Sequence, residues 1–232
     1  LAPEVSIVIP ARNEEAYIEM AMESVAAQTW PREQLEIVVV DNGSTDTTVE
    51  VVRRFSAKQP HLPTSVVHEP VPGVSRAKNR GAAAACGKWI IFLDADSRLA
   101  PDLVAEVMRW TQQGFAAGSI SVVADSRDTV DRAFFGLMEL GKRLFSLQAQ
   151  MFYCARDLFL ERGGFAEDLK LAEDREFLLR IRRQHVPMCQ VTGSWIATSP
   201  RRLRRLPFRI NMVYMFIRWT LANWGIGRRW RY

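Results

Sequence analysis

The sequence predicts an open α/β domain, a mostly parallel sheet flanked by helices, and three observations predict it. Residues 5–10 and 35–40 are short apolar runs of strand type, and between them Ile18, Met22 and Val25 recur at helical spacing within residues 14–28. Strand, helix, strand in so short a span implies a parallel βαβ unit. Further on, the apolar run Trp89-Ile90-Ile91-Phe92-Leu93 ends directly in Asp94-Ala95-Asp96. Such a run reads as a buried strand, and open α/β sheets bind ligands at the carboxyl ends of their strands. With 232 residues, 48% hydrophobic and 25% charged, the chain fits one globular domain with a sizeable core and does not fit disorder.

The elements follow in order. Pro10 ends the first strand, and the second runs into the turn-forming Asp41-Asn42-Gly43-Ser44. Thr45 or Asp46 can cap a helix reaching about residue 57, after which come a short strand at 65–68 and a helix at 75–85. Beyond the strand at residue 89, the pattern predicts a helix at 103–113, a strand at 119–124 and a helical stretch at 129–147. A strand at 149–155 is expected to lie across the sheet, followed by a helix, the Gly163-Gly164-Phe165 turn and a helix at 172–184. No internal repeat or low-complexity segment interrupts the series.

Charge divides the chain. Residues 201–232 hold nine Arg, no Lys and no acid, so of the 31 basic residues 22 remain in residues 1–200 against all 26 acids, a balance of −4 there. The basic character belongs to the tail, which reads as an element separate from the domain at 1–200. Cys86, Cys154 and Cys189 are widely spaced, odd in number and without a C-x-x-C pair, so neither a disulfide framework nor a zinc knuckle is expected. No secretory signal is read near the start, and a reducing, cytoplasmic setting is the expectation.

Two stretches carry chemistry on their residues alone. Asp94 and Asp96, two positions apart on an extended chain, point to the same face, and hard cations such as Mg²⁺ or Mn²⁺ take carboxylate oxygens while leaving positions for phosphate. A D-x-D triplet also recurs as an ordinary solvated turn. Arg76 and Lys78 lie near the start of the helix at 75–85, where cationic side chains and free N–H groups attract phosphate; a basic solvated face has the same pattern.

Six motifs stand in a telling order: Val5-Ser6-Ile7-Val8-Ile9-Pro10-Ala11-Arg12-Asn13-Glu14-Glu15, Val39-Val40-Asp41-Asn42-Gly43-Ser44-Thr45-Asp46, Gly73-Val74-Ser75-Arg76-Ala77-Lys78-Asn79-Arg80-Gly81, Phe92-Leu93-Asp94-Ala95-Asp96, Gly163-Gly164-Phe165 and Glu173-Asp174. Over about residues 4–200 the chain resembles the family-2 glycosyltransferases. The resemblance implies a GT-A fold and transfer of a sugar from a nucleoside diphosphate donor, with inversion at the anomeric carbon, to a hydroxyl acceptor. It implies that Pro10, Arg12, Glu14 and Asp41 line the nucleoside pocket, with Asp41 accepting the imide N–H of uracil. It also implies that Asp96 binds Mn²⁺ or Mg²⁺ on the diphosphate, and that Asp94 lies nearer the ribose or the metal's water shell.

By the same resemblance Asp174 is the general base, and Gly164, Phe165 and Glu173 lie on the acceptor side. An acidic pair opening a helix is otherwise ordinary N-terminal stabilisation. The chain departs from the family at Ala77-Lys78-Asn79, where Ala-Arg-Asn is common, so a point charge replaces a bidentate guanidinium unless Arg76 compensates. The family's further histidine ligand has no counterpart at 196–199; Arg201 and Arg202 could clamp the diphosphate instead. His185 reads as a surface residue.

In the tail, Phe208, Met212, Met215, Phe216 and Trp219 recur at spacings of three and four, predicting a helix over 211–223. Flanking arginines suit an anionic membrane surface, which would make the enzyme peripheral on the inner face of the plasma membrane and its acceptor lipid-linked; a helix packed on the core or on a second copy fits as well. Arg209 and Arg218 leave too short an apolar run for a spanning segment. No motif supports nucleic-acid binding. Two rival functions are a sugar-phosphate nucleotidyltransferase, whose glycine-rich phosphate loop is missing after the first strand, and a non-catalytic nucleotide-sugar or membrane-surface binding module, against which Asp96 and Asp174 stand.

Overall fold

In a computed structural model, residues 2–144, 151–169, 172–202, 204 and 217 are described. The chain opens with β1 (Val5–Ala11), α1 (Ile18–Ala26), β2 (Leu35–Asp41), α2 (Thr48–Lys58), β3 (Thr64–His68), α3 (Val74–Ala84) and β4 (Trp89–Phe92). There follow β5 (Ser97–Leu99), α4 (Leu103–Gln112), β6 (Ala117–Ala124), α5 (Thr129–Leu144), β7 (Phe152–Ala155), α6 (Arg156–Glu161), α7 (Glu173–Arg182) and β8 (Met188–Thr198). Among the described residues the eight strands form one sheet in the order β3-β2-β1-β4-β7-β6-β8-β5. Strands β1 to β4 pair in parallel, while β7 runs antiparallel between β4 and β6, so the sheet is mixed and mostly parallel in a single α/β domain.

All seven residues of β2 are buried, as expected of a parallel strand covered on both faces. One face packs Ile7, Ile9, Val39 and Ile91 under Ile18, Met22 and Val25 of α1, Phe55 of α2 and Leu103 and Val107 of α4. The other packs Val8, Val38, Val40 and Phe92 under Ala77 and Ala82 of α3 and the aromatic residues Phe159, Phe165 and Phe177. Helix α3 comes so close that a Cβ at Gly81 would stand 2.4 Å from Val8 and 2.8 Å from Val40; only glycine permits that approach.

Three differences from the sequence pattern have physical causes. Helix α1 begins at Ile18 rather than residue 14: residues 15–17 form a turn, and the chain entering it is tied to the neighbouring loop by the Glu14 and Glu15 N–H groups, which donate to Thr48 Oγ1 and Asp46 Oδ2. Pro10 does not end β1, which continues to Ala11. Leu93 N–H donates to the Val8 carbonyl and Asn42 N–H to that of Ala11, so by alternation residue 10 faces β4 where that ladder has already stopped, and no N–H is missed. Strands β5 and β8 were not legible: β8 slips in register against β6, from Ile120↔Val191 to Ser121↔Trp195, and such a bulge scrambles the period-two pattern that marks a strand.

Candidate active site

The strand order reverses between β1 and β4, and the crevice above their carboxyl ends is where ligands bind in such sheets. The loops after β1 and β2 interlock there. Asn13 Oδ1 accepts the Thr45 N–H at 2.8 Å and Ser44 Oγ accepts the Asn13 N–H at 3.1 Å, while Glu15 Oε2 accepts the Thr47 N–H at 2.9 Å. The N-cap of α2 is Thr47, not Thr45 or Asp46 as expected, and its side chain makes no capping bond; Asp46, one residue earlier, accepts the Thr48 N–H through Oδ1. Asp41 is buried at the tip of β2, with Oδ1 accepting the Ser44 N–H at 2.9 Å and Oδ2 standing 3.1 Å from His68 Nδ1. Burial pushes its carboxyl up, but the hydrogen bonds from Ser44 and His68 outweigh that and hold it below the ordinary value. Asn42 ties this corner to the next loop by donating to the Glu69 and Val71 carbonyls and accepting the Gly73 N–H. Arg12 is exposed and Pro10 half-buried on the same rim.

Past β4, the turn through Asp94-Ala95-Asp96 is held by its backbone: the Asp94 carbonyl accepts the Ser97 N–H and the Asp96 carbonyl accepts the Ser199 N–H. Asp96 is 4% exposed. Its Oδ2 accepts Arg201 Nε at 2.8 Å, and the same guanidinium donates to Glu14 Oε2 at 2.6 Å and lies over the Tyr17 ring at 4.3 Å. Arg201 therefore bridges the end of β4 to the loop after β1. Arg202 continues the 3-10 turn Pro200–Arg202.

Among the described residues there is no cluster of three or more His, Cys, Asp and Glu side chains of metal-binding form. The site offers the two carboxylates of Asp94 and Asp96. That set fits Mg²⁺ or Mn²⁺, which bind through one or two carboxylates and complete their shell with phosphate and water.

Across the crevice lies a buried run of alternating charge. Lys78 Nζ stands 3.0 Å from Glu173 Oε1, with Asp94 and Asp174 also within electrostatic reach. Burial alone would lower the Lys78 pKa; the carboxylates more than offset it, raising Lys78 and lowering Glu173. Asp174, also buried, accepts the Arg175 N–H at the first turn of α7. On its other side is Lys142 of α5, 2% exposed, which donates to Glu139 Oε1 at 2.5 Å. Burial lowers the Lys142 pKa, and Glu139 and Asp174 offset only part of that.

The glycine turn is clamped to α3. Asn79 donates to the Phe165 carbonyl at 3.0 Å and accepts the Phe165 N–H at 2.8 Å. A Cβ on Gly164, whose φ is +62°, would stand 2.5 Å from Asn79 Oδ1, so both backbone angle and space demand glycine.

The structure thus brings Pro10, Arg12, Glu14, Asp41, Asp94, Asp96 and Arg201 to one sheet edge, with Glu173 and Asp174 joined to it through Lys78. Several side chains are placed differently from the expectation. Lys78 is paired with Glu173, and Arg76 with Glu167 at 2.9 Å. The Phe165 ring, 1% exposed, packs among Phe92, Phe152, Phe159 and Phe177; it is core, not acceptor surface. His185 is exposed at the far end of α7 from Asp174, about 15 Å away along a ten-residue helix. The Arg202 side chain and the expected tail helix at 211–223, Ile217 apart, lie outside the described residues. Sequence reasoning missed His68, Asn42, Asn79 and Lys142. For Lys142 a signal existed, since Asp131, Phe135, Met138 and Lys142 form one stripe at helical spacing that the fold turns inward.

A family model for glycosyl transferase family 2 matches residues 6–166. The chain belongs to glycosyl transferase family 2. Among family-2 relatives, a PGL/p-HBAD biosynthesis glycosyltransferase of Mycobacterium bovis is 31% identical over 184 residues, covering 77% of this chain and 70% of its own. The probable glycosyltransferase YdaM of Bacillus subtilis is 29% identical over 198 residues, 77% of this chain and 46% of its own. The chain spans 29% and 46% of the first two curated relatives it matches. Among solved structures, the mannosyltransferase PcManGT of Pyrobaculum calidifontis, in complex with GDP-Man and Mn²⁺, superposes with a TM-score of 0.71 at 26% identity, covering 94% of this chain and 65% of that one. TarS residues 1–349 of Staphylococcus aureus, in complex with UDP, gives 0.72 at 18% identity over 97% of this chain and 73% of that one. The family-2 domain therefore has the GT-A fold that its motifs implied.

Proposed function

We propose that the domain is an inverting, metal-dependent glycosyltransferase that moves a sugar from a nucleoside diphosphate, with uridine as the base, to a hydroxyl acceptor. The observation that carries this reading is the convergence at one sheet edge of the Asp94 carboxylate with Glu173 and Asp174 around the buried Lys78 ammonium, with Asp96 two residues on and held by Arg201. Family membership supports it, as do the Mn²⁺ and nucleotide-sugar ligands of the mannosyltransferase.

In this reading Asp41 accepts the imide N–H of the base, with Ser44 and His68 fixing the carboxylate's orientation. Asp94 and Asp96 are the carboxylates that would hold a divalent cation, and Mn²⁺ or Mg²⁺ there would offset charge gathering on the leaving diphosphate. Arg201 leaves Asp96 and Glu14 to meet the same diphosphate, a move of one side chain between neighbouring anions. Asp174 takes the proton from the acceptor hydroxyl as its oxygen attacks the anomeric carbon and the bond to the diphosphate breaks on the opposite face, so the configuration inverts. Lys78 and Glu173 hold the start of α7 against α3 and thereby position Asp174.

No helix among the described residues is long and apolar enough to cross a membrane. The proposed role of the basic tail, outside those residues, is to bring the enzyme to an anionic membrane surface from the cytoplasmic side, where a lipid-linked acceptor resides.

Calorimetric titration of UDP, GDP and ADP with and without Mn²⁺ tests the donor reading. UDP should bind tightest and only with the metal; tighter binding of GDP, whose base also presents ring N–H donors, would reassign the base, and metal-independent binding of every nucleotide would remove Asp96 from the role. Sedimentation with anionic and neutral vesicles at low and high salt tests the tail, with binding to anionic vesicles at low salt alone as the expected result.

A further inference from the structure

A second cleft, ≈ 790 Å³ in volume, opens between α5 and the β6–β8 ladder. Its floor is Ser121 to Ala124 of β6 with Trp195 and Ala197 of β8, and Phe135, Gly136 and Glu139 of α5 form its wall. Both ends join the donor site. At one end Asp125 N–H donates to the Thr198 carbonyl and Ser199 N–H to that of Asp96, so the cleft begins within a few residues of the D-x-D turn. At the other, Glu139 holds Lys142, which lies within electrostatic reach of Asp174.

Two observations point to a ligand. Ser121 is 8% exposed, yet its hydroxyl has no hydrogen-bond partner, and Glu139 Oε2 has none although Oε1 accepts both Lys142 and the Val122 N–H. Both oxygens are closed to water beneath the cleft and lack bonds that a buried polar group ordinarily makes; what the cleft itself offers a sugar is the ring of Trp195, 39% exposed, a flat apolar surface that the C–H face of a sugar can cover. The second observation is charge. Asp125 is taken by Arg98 at 3.0 Å, and Glu139 by Lys142. Arg127 and Arg132 line the cleft, exposed, with no acid partner among the described residues. Two cations are left over at the mouth of a cleft whose walls include the rings of Trp195 and Phe135.

We propose that this cleft binds the acceptor, and that the acceptor is a sugar bearing an anionic group, phosphate or carboxylate, read by Arg127 and Arg132 while its ring lies on Trp195. This rests on the glycosyltransferase reading and adds to it the chemical class of the acceptor. Guanidinium groups suit the anion because they deliver paired N–H donors to phosphate or carboxylate oxygens.

The test is calorimetric, on the full chain saturated with UDP and Mn²⁺. The probes are glucose 6-phosphate, glucose and inorganic phosphate. Glucose 6-phosphate should bind about tenfold or more tighter than either of the others, the scale of charge-assisted hydrogen bonds. The double variant Arg127→Ala/Arg132→Ala should bring it down to the level of glucose while UDP affinity stays unchanged. Trp195→Ala should weaken it several-fold while UDP affinity stays unchanged. Inorganic phosphate binding as tightly as glucose 6-phosphate would overturn the sugar part of the proposal. Equal affinities for all three probes, or indifference of glucose 6-phosphate to the arginine pair, would overturn the whole of it while leaving the donor reading intact. Absence of UDP binding in the loading step would overturn both.

Discussion

On the donor side of the sheet edge, the loops after β1 and β2 satisfy one another before any ligand arrives: Asn13 against Thr45, Glu15 against Thr47, Asp41 against Ser44 and His68. On the other side, where α5 lies over β6 and β8, Ser121 Oγ and Glu139 Oε2 have no partner and Arg127 and Arg132 have no acid among the described residues. The first arrangement sets a shape in advance with the chain's own hydrogen bonds. The second keeps bonding capacity open. A pocket for a constant nucleotide gains from being built beforehand, since ordering it on binding would cost affinity. A surface that reads a particular acceptor needs unspent donors and acceptors, and Lys78 and Lys142 join the two regions through Asp174.

Breaking that junction should have the largest effect. Lys78→Met leaves Glu173 buried without its cation and should cost about 3–5 kcal/mol in urea unfolding; adding Glu173→Gln should recover most of it. The pH dependence has a definite sign. Lys78 is raised above its ordinary 10.5 and Glu173 lowered below its ordinary 4.5. The pair's contribution is therefore full between those two values. It is lost as pH rises through the raised lysine value or falls through the lowered glutamate value, and the double variant should show neither loss from this pair. If the single variant is as stable as the parent, the junction is not a structural tie.

Asp174→Asn should keep UDP affinity and Tm while cutting transfer roughly 10²-fold or more, since the amide cannot take a proton. Near-full turnover, or a product of retained anomeric configuration, would place the base elsewhere. Asp96→Ala probes the donor side alone: nucleoside diphosphate affinity in Mn²⁺ should fall about 10–100-fold, the range in which metal-site substitutions act, with glucose 6-phosphate affinity at the second cleft measured in parallel as the contrast. The smallest effect is expected at Arg201. Arg201→Ala removes a half-exposed cation from Asp96, so Mn²⁺ affinity without nucleotide should rise by about two- to fivefold, the worth of a partly exposed ion pair. A fall instead would mean that Arg201 holds Asp96 in its binding orientation.

Periodicity in the sequence was enough for the strands and helices through β4, because β1, β2 and β4 are buried on both faces and, Ser6, Glu36 and Asp41 apart, apolar. It was not enough for β8, whose bulge interrupts alternation, nor for β5, three residues long. The candidate site divides in a similar way. Asp41, Asp94 and Asp96 were readable because each ends a strand, and the end of a strand is a local feature. Where Arg76, Lys78 and Phe165 point was not readable: each pairing depends on which helix the fold lays beside α3, and the partners Glu173 and Glu167 are some ninety residues away.

The order of elements through β4, the family and the positions of the carboxylates along the chain were determined by the sequence alone, through apolar runs, turn residues and motif order, all of which act over a few neighbours. Only the tertiary structure decided that Lys142 is interior, that Arg201 bridges Asp96 and Glu14, and that a cleft with unmatched polar groups lies under α5. Those facts come from packing α5 and the segment after β8 against a sheet edge assembled from strands far apart in the chain, where burial turns charges that would be solvated on a surface into paired or waiting groups.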